Sequence, residues 1–276
     1  ITPKKSHMKP YFLCTIILTF LIACSPSSDE LDPKSISHVP LETDEGVGRT
    51  YVLVHGASGG GWDWKTIDDL LSAAGHSVYR PTLAGLGEKV HLSNSNIDLT
   101  THINDIANVI RFESLENVVL VGHSYGGMVI TGVMDRMPER IKHAIFLDAA
   151  VPEDGMSMYA LAKSDGVSLD YEVVDGIIYF PWLDASAPLP RDVPQSLKTY
   201  TEPVSFNNPS ALKLPATFVA FIPAGMSVEE RSADLSWQNA ETRGWPIRTL
   251  ESDHNAQRSH PTELVALLEE SVNNGD

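Results

Sequence analysis

Apolar residues along this chain fall into two rhythms. Short runs rich in β-branched and aromatic side chains, at residues 50–54, 77–79, 118–121, 144–147, 217–222 and 247–250, predict strands. Between them, residues 64–74, 99–112, 128–136 and 261–271 carry apolar side chains at helical spacing, and Pro261 suits a first helical turn. Strands alternating with helix-length segments call for a parallel sheet, because each parallel connection must carry the chain back to the edge where the previous strand began. The rhythm breaks twice. From Ser25 to about Gly48 the chain is rich in Ser, Pro, Asp and Glu, a composition that buries too little surface to fold and reads as a tether. From 151 to about 213, Pro188, Pro190, Pro194, Pro203 and Pro209 stand among Tyr159, Tyr171, Tyr179, Phe180 and Trp182. An insertion after a strand end is where a substrate-covering cap would sit; a small core of packed loops is the alternative.

The strand run at 118–121 stops at Gly122-His123-Ser124-Tyr125-Gly126, with Gly127 and an apolar helical segment following. A strand, a Gly-x-Ser-x-Gly bend and a helix are the context that turns a common pentapeptide into a nucleophile elbow, since the glycines let strand and helix close up and push the Ser124 hydroxyl outward. The competing reading is an ordinary exposed turn serine. A serine hydroxyl needs a base, and the base needs its tautomer fixed by a carboxylate. His254 follows the last strand and precedes the last helix, the place that the chain order Ser, acid, His requires. His260 falls at the start of that helix, while His55, His91 and His123 are as well explained as buried or turn histidines. An oxyanion would need two N–H donors: Tyr125, which follows the nucleophile at a helix N-terminus, and Ala57 in the glycine-dense loop after residues 50–54. That loop lacks the Gly-Lys-Ser/Thr ending of a phosphate cradle, and no two histidines have the helical spacing of a metal site, so neither cofactor nor metal is expected.

Lys4, Lys5 and Lys9 precede an apolar run over residues 11–23, too short to span a bilayer comfortably and placed where a secretory signal sits, with Met8 read as its initiator. The run ends at Leu21-Ile22-Ala23-Cys24, which resembles a bacterial lipobox; that resemblance implies cleavage before Cys24, lipidation of its thiol and residence in the cell envelope. An ordinary signal peptide beside a coincidental cysteine is the alternative. Cys14 would leave with the signal, so no disulfide framework is expected in the remainder, and stability must come from a core. The net charge is −16; without the three lysines of residues 1–23, which hold no acid, it becomes −19. Such a surface disfavours nucleic acid and repels anionic lipid, leaving acyl chains at Cys24 to carry any membrane attachment. The expected organisation is a signal at 1–23, a tether at 24–48 and one folded domain at 49–276.

Taken together, Val52-Leu53-Val54-His55-Gly56-Ala57 with Gly61-Trp62-Asp63-Trp64, the bend at Ser124, Pro138-Glu139-Arg140-Ile141, Phe146-Leu147-Asp148-Ala149 with Val151-Pro152, and His254 with Pro261 resemble the α/β-hydrolases. Within that superfamily they are similar to the group of plant methylesterases, hydroxynitrile lyases and bacterial carboxylesterases. The resemblance implies an α/β-hydrolase fold, a mostly parallel sheet flanked by helices with a small cap inserted after the strand ending at Asp148, and cleavage of a carboxylic ester through an acyl-enzyme. One departure stands out. In most of the superfamily the acid follows the strand after the cap, but Pro223-Ala224-Gly225-Met226-Ser227 holds no carboxylate. Asp148, at the end of the preceding strand, is the expected acid, with Glu229, Glu230 and Asp234 as alternatives; Asp253 is too near His254 along the chain and reads as a turn carboxylate. Cyanohydrin cleavage is the runner-up, disfavoured because the lyases' threonine and lysine are replaced by Gly56 and Asn255, and a non-catalytic ligand-binding hydrolase fold is the third reading. Met156, Met158, Tyr159 and Trp182 point to a small-molecule ester with an apolar group.

Overall fold

A computed structural model describes residues 48–273. The expected signal at 1–23, Cys24 and all but the last residue of the expected tether lie outside the described residues.

The elements follow the chain as β1 (Thr50–Val54), α1 (Lys65–Ala73), β2 (Ser77–Tyr79), α2 (Leu99–Phe112), β3 (Val118–His123), α3 (Gly126–Arg136) and β4 (Ile141–Leu147). Then come α4 (Met158–Ser164), β5 (Glu172–Val174), β6 (Ile177–Tyr179), β7 (Gln195–Ser196) and α5 (Lys198–Thr201). The chain closes with β8 (Ala216–Ile222), α6 (Val228–Ser232), α7 (Leu235–Thr242), β9 (Ile247–Glu251), α8 (Ala256–Ser259) and α9 (Pro261–Asn273). Six strands form one sheet in the order β2-β1-β3-β4-β8-β9, every neighbouring pair parallel. Every sequence-predicted strand and helix is present, with ends moved by a few residues.

Both faces of this sheet are covered, as an all-parallel sheet demands. Side chains alternate across it: Val52, Val54 and Leu120 pack with Ile106, Met128 and Val129 of α2 and α3, while Tyr51, Leu53 and Val121 pack with Ile67 of α1 and Leu268 of α9. Because the sheet is parallel, all strands release their loops at one edge. The register sets Val54 level with Gly122, His123 with Leu147 and Ile222 with Glu251. The chain also reverses its direction of winding at β1, since β2 lies on one side of it and β3 on the other. The loops after β1 and β3 therefore part to opposite faces and leave a crevice at the switch point.

The segment between β4 and β8 carries its own antiparallel sheet, β5-β6-β7, flanked by α4 and α5. Its hairpin turns on Asp175 (φ 50°) and Gly176 (φ 76°), a pair of left-handed residues that matches the twist of two short strands. Asp-Gly between Val173-Val174 and Ile177-Ile178 was a legible hairpin signal that the proline content of the region obscured. Its aromatic side chains make a small core: Tyr171 packs edge-on to Phe180 at 5.0 Å, and Tyr200 stacks on Tyr125 at 5.4 Å. Helices α6 and α7, between β8 and β9, were not expected either; α6 starts at a reciprocal cap between Ser227 and Glu230.

Candidate active site

Ser124 occupies the bend between β3 and α3 in the left-handed region, at φ 54°, an arrangement that a non-glycine residue keeps only when its surroundings hold it. They do. The Ser124 N–H donates to Leu147 O at 3.2 Å, and its carbonyl accepts from Gly127 and Ala150, each at 3.0 Å. The tightness of the bend explains the glycines: a Cβ on Gly126 would lie 2.8 Å from Val54 O, and one on Gly127 would lie 2.1 Å from Ala150 O. Ser124 itself is only partly buried, so its hydroxyl remains reachable.

His254 meets that hydroxyl from the loop after β9. Its Nε2 lies 2.9 Å from Ser124 Oγ, in position to accept the hydroxyl proton, and its Nδ1 lies 2.5 Å from Asp148 Oδ2. The loop holding it is shaped locally, with Asp253 accepting from Asn255 N–H at 2.8 Å as a turn carboxylate does. His123 adds a strut, its Nε2–H donating to the His254 carbonyl at 2.6 Å. The imidazole is half-exposed, whereas the Asp148 side chain is about 10% exposed.

Asp148 stands one residue past β4 at φ 44°, and Phe221 N–H and Arg231 Nη2 both donate to its Oδ1, at 3.2 and 2.5 Å. Burial by itself would raise its pKa, but the bond and charge of His254 and the charge and bond of Arg231 outweigh burial and hold the carboxyl at about 2. Of the other acids raised from the sequence, Glu230 is engaged in the cap of α6 and Asp234 in an ion pair with Arg231, and the two ring nitrogens of His254 bond Asp148 and Ser124 rather than Glu229. Arg231 was missed. It comes from α6, and a lone arginine beside two glutamates gives no sequence signal of a partner 83 residues away.

Tyr125 follows Ser124 at the start of α3, and the loop that holds Ala57 comes up to the same bend, where a Cβ on Gly56 would lie 3.2 Å from Ser124 Cβ. Among the described residues no acceptor is bonded to the N–H of either, although their neighbours Ser58, Gly59 and Gly127 all donate within the protein. The remaining histidines have structural work. Buried His55 bonds Gly56 O through Nδ1 at 2.8 Å and accepts from Leu83 N–H at 3.1 Å. His91 is exposed and bonds Glu88 O, and His260 bonds Ser252 and Ser259. No group of three or more metal-ligating side chains occurs among the described residues. A cavity of about 1110 Å³ opens beside the inserted segment, walled by Trp62, Tyr171, Phe180, Leu183, Pro190 and Val193. It does not reach Ser124 or His254, yet Val193 in its wall bonds Ser58, next to Ala57.

This fold and site define a class: the chain belongs to the alpha/beta hydrolase family, whose sequence pattern matches residues 51–267. Among its relatives, it is 52% identical over 236 residues to the carbendazim hydrolyzing esterase of Nocardioides sp. (strain SG-4G), covering 79% of this chain and 97% of that one. It is 38% identical to salicylic acid-binding protein 2 of Nicotiana tabacum over 109 residues, 38% of this chain and 41% of the relative. Of solved structures, a methylesterase from Arabidopsis superposes with a TM-score of 0.63 at 25% identity, covering 82% of this chain and 99% of that one. A pyrethroid hydrolase from Sphingobium faniae shares the fold, with a TM-score of 0.64 at 19% identity over 82% of this chain and 98% of that one. The protein is an esterase-type hydrolase.

Proposed function

We propose that the chain hydrolyses a small carboxylic ester bearing an apolar group through an acyl-enzyme on Ser124. The observation that carries this reading is the continuous relay from Ser124 Oγ through the His254 ring to Asp148. In the first half-reaction Ser124 Oγ attacks the ester carbon while His254 Nε2 takes its proton. The imidazolium so formed keeps its Nδ1–H on Asp148, whose charge stabilises it and fixes the tautomer beforehand. Charge on the ester oxygen is met by the N–H groups of Ala57 and Tyr125, the latter at the positive end of α3. His254 then protonates the departing alcohol and, in the second half-reaction, activates the water that releases the acid.

Similarity to named esterases supports this chemistry over cyanohydrin cleavage, and the accessible Ser124 and His254 favour an enzyme over a binding module. A panel of p-nitrophenyl esters of graded acyl length tests it. Ser124→Ala and His254→Ala are each expected to remove nearly all turnover with the circular dichroism spectrum unchanged, because the two groups act as one unit; Ser124→Ala retaining activity within a few-fold of the parent sinks the mechanism. We also propose that the bacterial product is held in the cell envelope by lipid on Cys24. Intact-mass measurement of the membrane fraction should show a chain that begins at an acylated Cys24, and an unmodified Cys24 excludes it.

A further inference from the structure

We propose that the inserted segment between β4 and β8 shapes the oxyanion site from outside, with Gln195 and Trp182 as positioning residues that act through Ser58. This rests on Ser124 being the nucleophile. Ser58 follows Ala57, is fully buried, and sits in the left-handed region at φ 59°, which a serine holds only when neighbours compel it.

The neighbours are specific. The Ser58 N–H donates to Gln195 Oε1 at 2.9 Å, and its carbonyl accepts from Val193 N–H at 2.9 Å. Its hydroxyl donates to Ala57 O at 2.6 Å and accepts from the Trp182 indole N–H at 3.0 Å. Every partner beyond the loop itself thus comes from the inserted segment, 124 residues away for Trp182 and 137 for Gln195. The consequence is geometric. Ala57 C=O and Ser58 N–H belong to one planar peptide unit. That unit is gripped at both ends, by Gln195 at the N–H and by the hydroxyl of Ser58 and the N–H of Gly59 (2.7 Å) at the carbonyl. With the plane after Ala57 fixed, only the φ and ψ of Ala57 separate it from the unit that carries the Ala57 N–H, and the carbonyl of that unit, Gly56 O, is bonded by His55 Nδ1 at 2.8 Å.

Gln195 is itself held. It is about 1% exposed, and its Nε2 donates to Thr199 Oγ1 at 2.8 Å, which in turn donates to Ser196 O at 2.7 Å. Thr199 borders the phenol of Tyr125, the residue supplying the second donor, and the Tyr125 hydroxyl is bonded to buried His102 at 3.0 Å. One short stretch, residues 195–200, therefore touches the supports of both donors. A cover that only excluded water would need shape against the loop and no bonds to its backbone.

The test uses the full chain with Gln195→Leu and Trp182→Phe. Each is expected to lower kcat on a p-nitrophenyl ester by about 10- to 100-fold, less than the loss on deleting a donor outright, with KM within about threefold. Affinity for an alkyl boronic acid, which forms a tetrahedral adduct on Ser124, should fall by the same factor as kcat/KM. Trp182 is 49% exposed, so Trp182→Phe is expected to fold even if Gln195→Leu does not. A raised KM with unchanged kcat and unchanged boronate affinity means that the segment merely covers the site and overturns the inference while leaving ester hydrolysis in place. A parent chain that neither turns over any ester nor binds the boronate overturns the functional reading, and this inference with it.

Discussion

At the scale of single residues, the proposed acid, Asp148, is the decisive side chain. Asp148 offers one carboxylate oxygen to His254 and the other to Phe221 N–H and Arg231, so its orientation is set from two directions. Asp148→Asn keeps the shape but favours the wrong imidazole tautomer, and turnover is expected to fall by about 10³- to 10⁴-fold. Alanine at Glu229, Glu230 or Asp234 should change kcat by only a few-fold, because none of these carboxylates bonds His254; steady-state kinetics of the four variants on one ester separates the assignments. With its pKa at about 2, Asp148 stays ionised through any ordinary assay range, so a loss of activity between pH 5 and 7 cannot come from its protonation.

At the scale of elements, the close approach of α3 to β3 and to the chain at the ends of β1 and β4 is what leaves Ser124 on an open bend. Gly127 packs against the backbone of residue 150, and an added Cβ would lie 2.1 Å from Ala150 O and 2.9 Å from Ala150 N, both main-chain atoms that cannot rotate away. Gly127→Ala should therefore force α3 away from the loop after β4, costing about 1–3 kcal/mol or more by overpacking and reducing turnover as Ser124 shifts. Urea unfolding read by tryptophan fluorescence gives the stability change, and a midpoint equal to the parent's would show that α3 can move without cost. The elbow and its flanking elements were legible because their signals are local: a β-branched run, a glycine bend and an apolar helix within 20 residues. The Asp175-Gly176 hairpin has a local signal as well, but it lies in a proline-dense stretch whose composition reads as loop.

For the whole molecule, buried histidines tie stability to pH. Burial lowers the pKa of His102 to about 3; burial, then the nearby His254 charge, lowers that of His123 to about 4; and burial lowers that of His55. In the unfolded chain these rings titrate near 6.5, so between that pH and the lowered values the unfolded state binds more protons. The contribution of these rings to stability is thus complete above about pH 6.5 and declines as pH falls towards 4. Asp148 adds to the decline only lower, between 3.8 and about 2. Thermal unfolding at stepped pH should show the melting temperature dropping across that window, and His102→Gln should flatten the slope. A melting temperature constant from pH 7 to 4 would mean that these rings are not held neutral by the fold.

The sequence by itself determined the alternation of strands and helices, and hence a parallel sheet with every loop released at one edge. It also determined the serine bend and the histidine after the last strand, since each depends on neighbours along the chain. Only the tertiary structure decided which distant groups meet. Arg231 reaches Asp148 across 83 residues, and Gln195 reaches Ser58 across 137, by hydrogen bonds whose partners share no spacing, period or motif. Such pairings follow from where the sheet order β2-β1-β3-β4-β8-β9 sets the strand ends, and that order is fixed by packing both faces of the sheet rather than by any local run of residues.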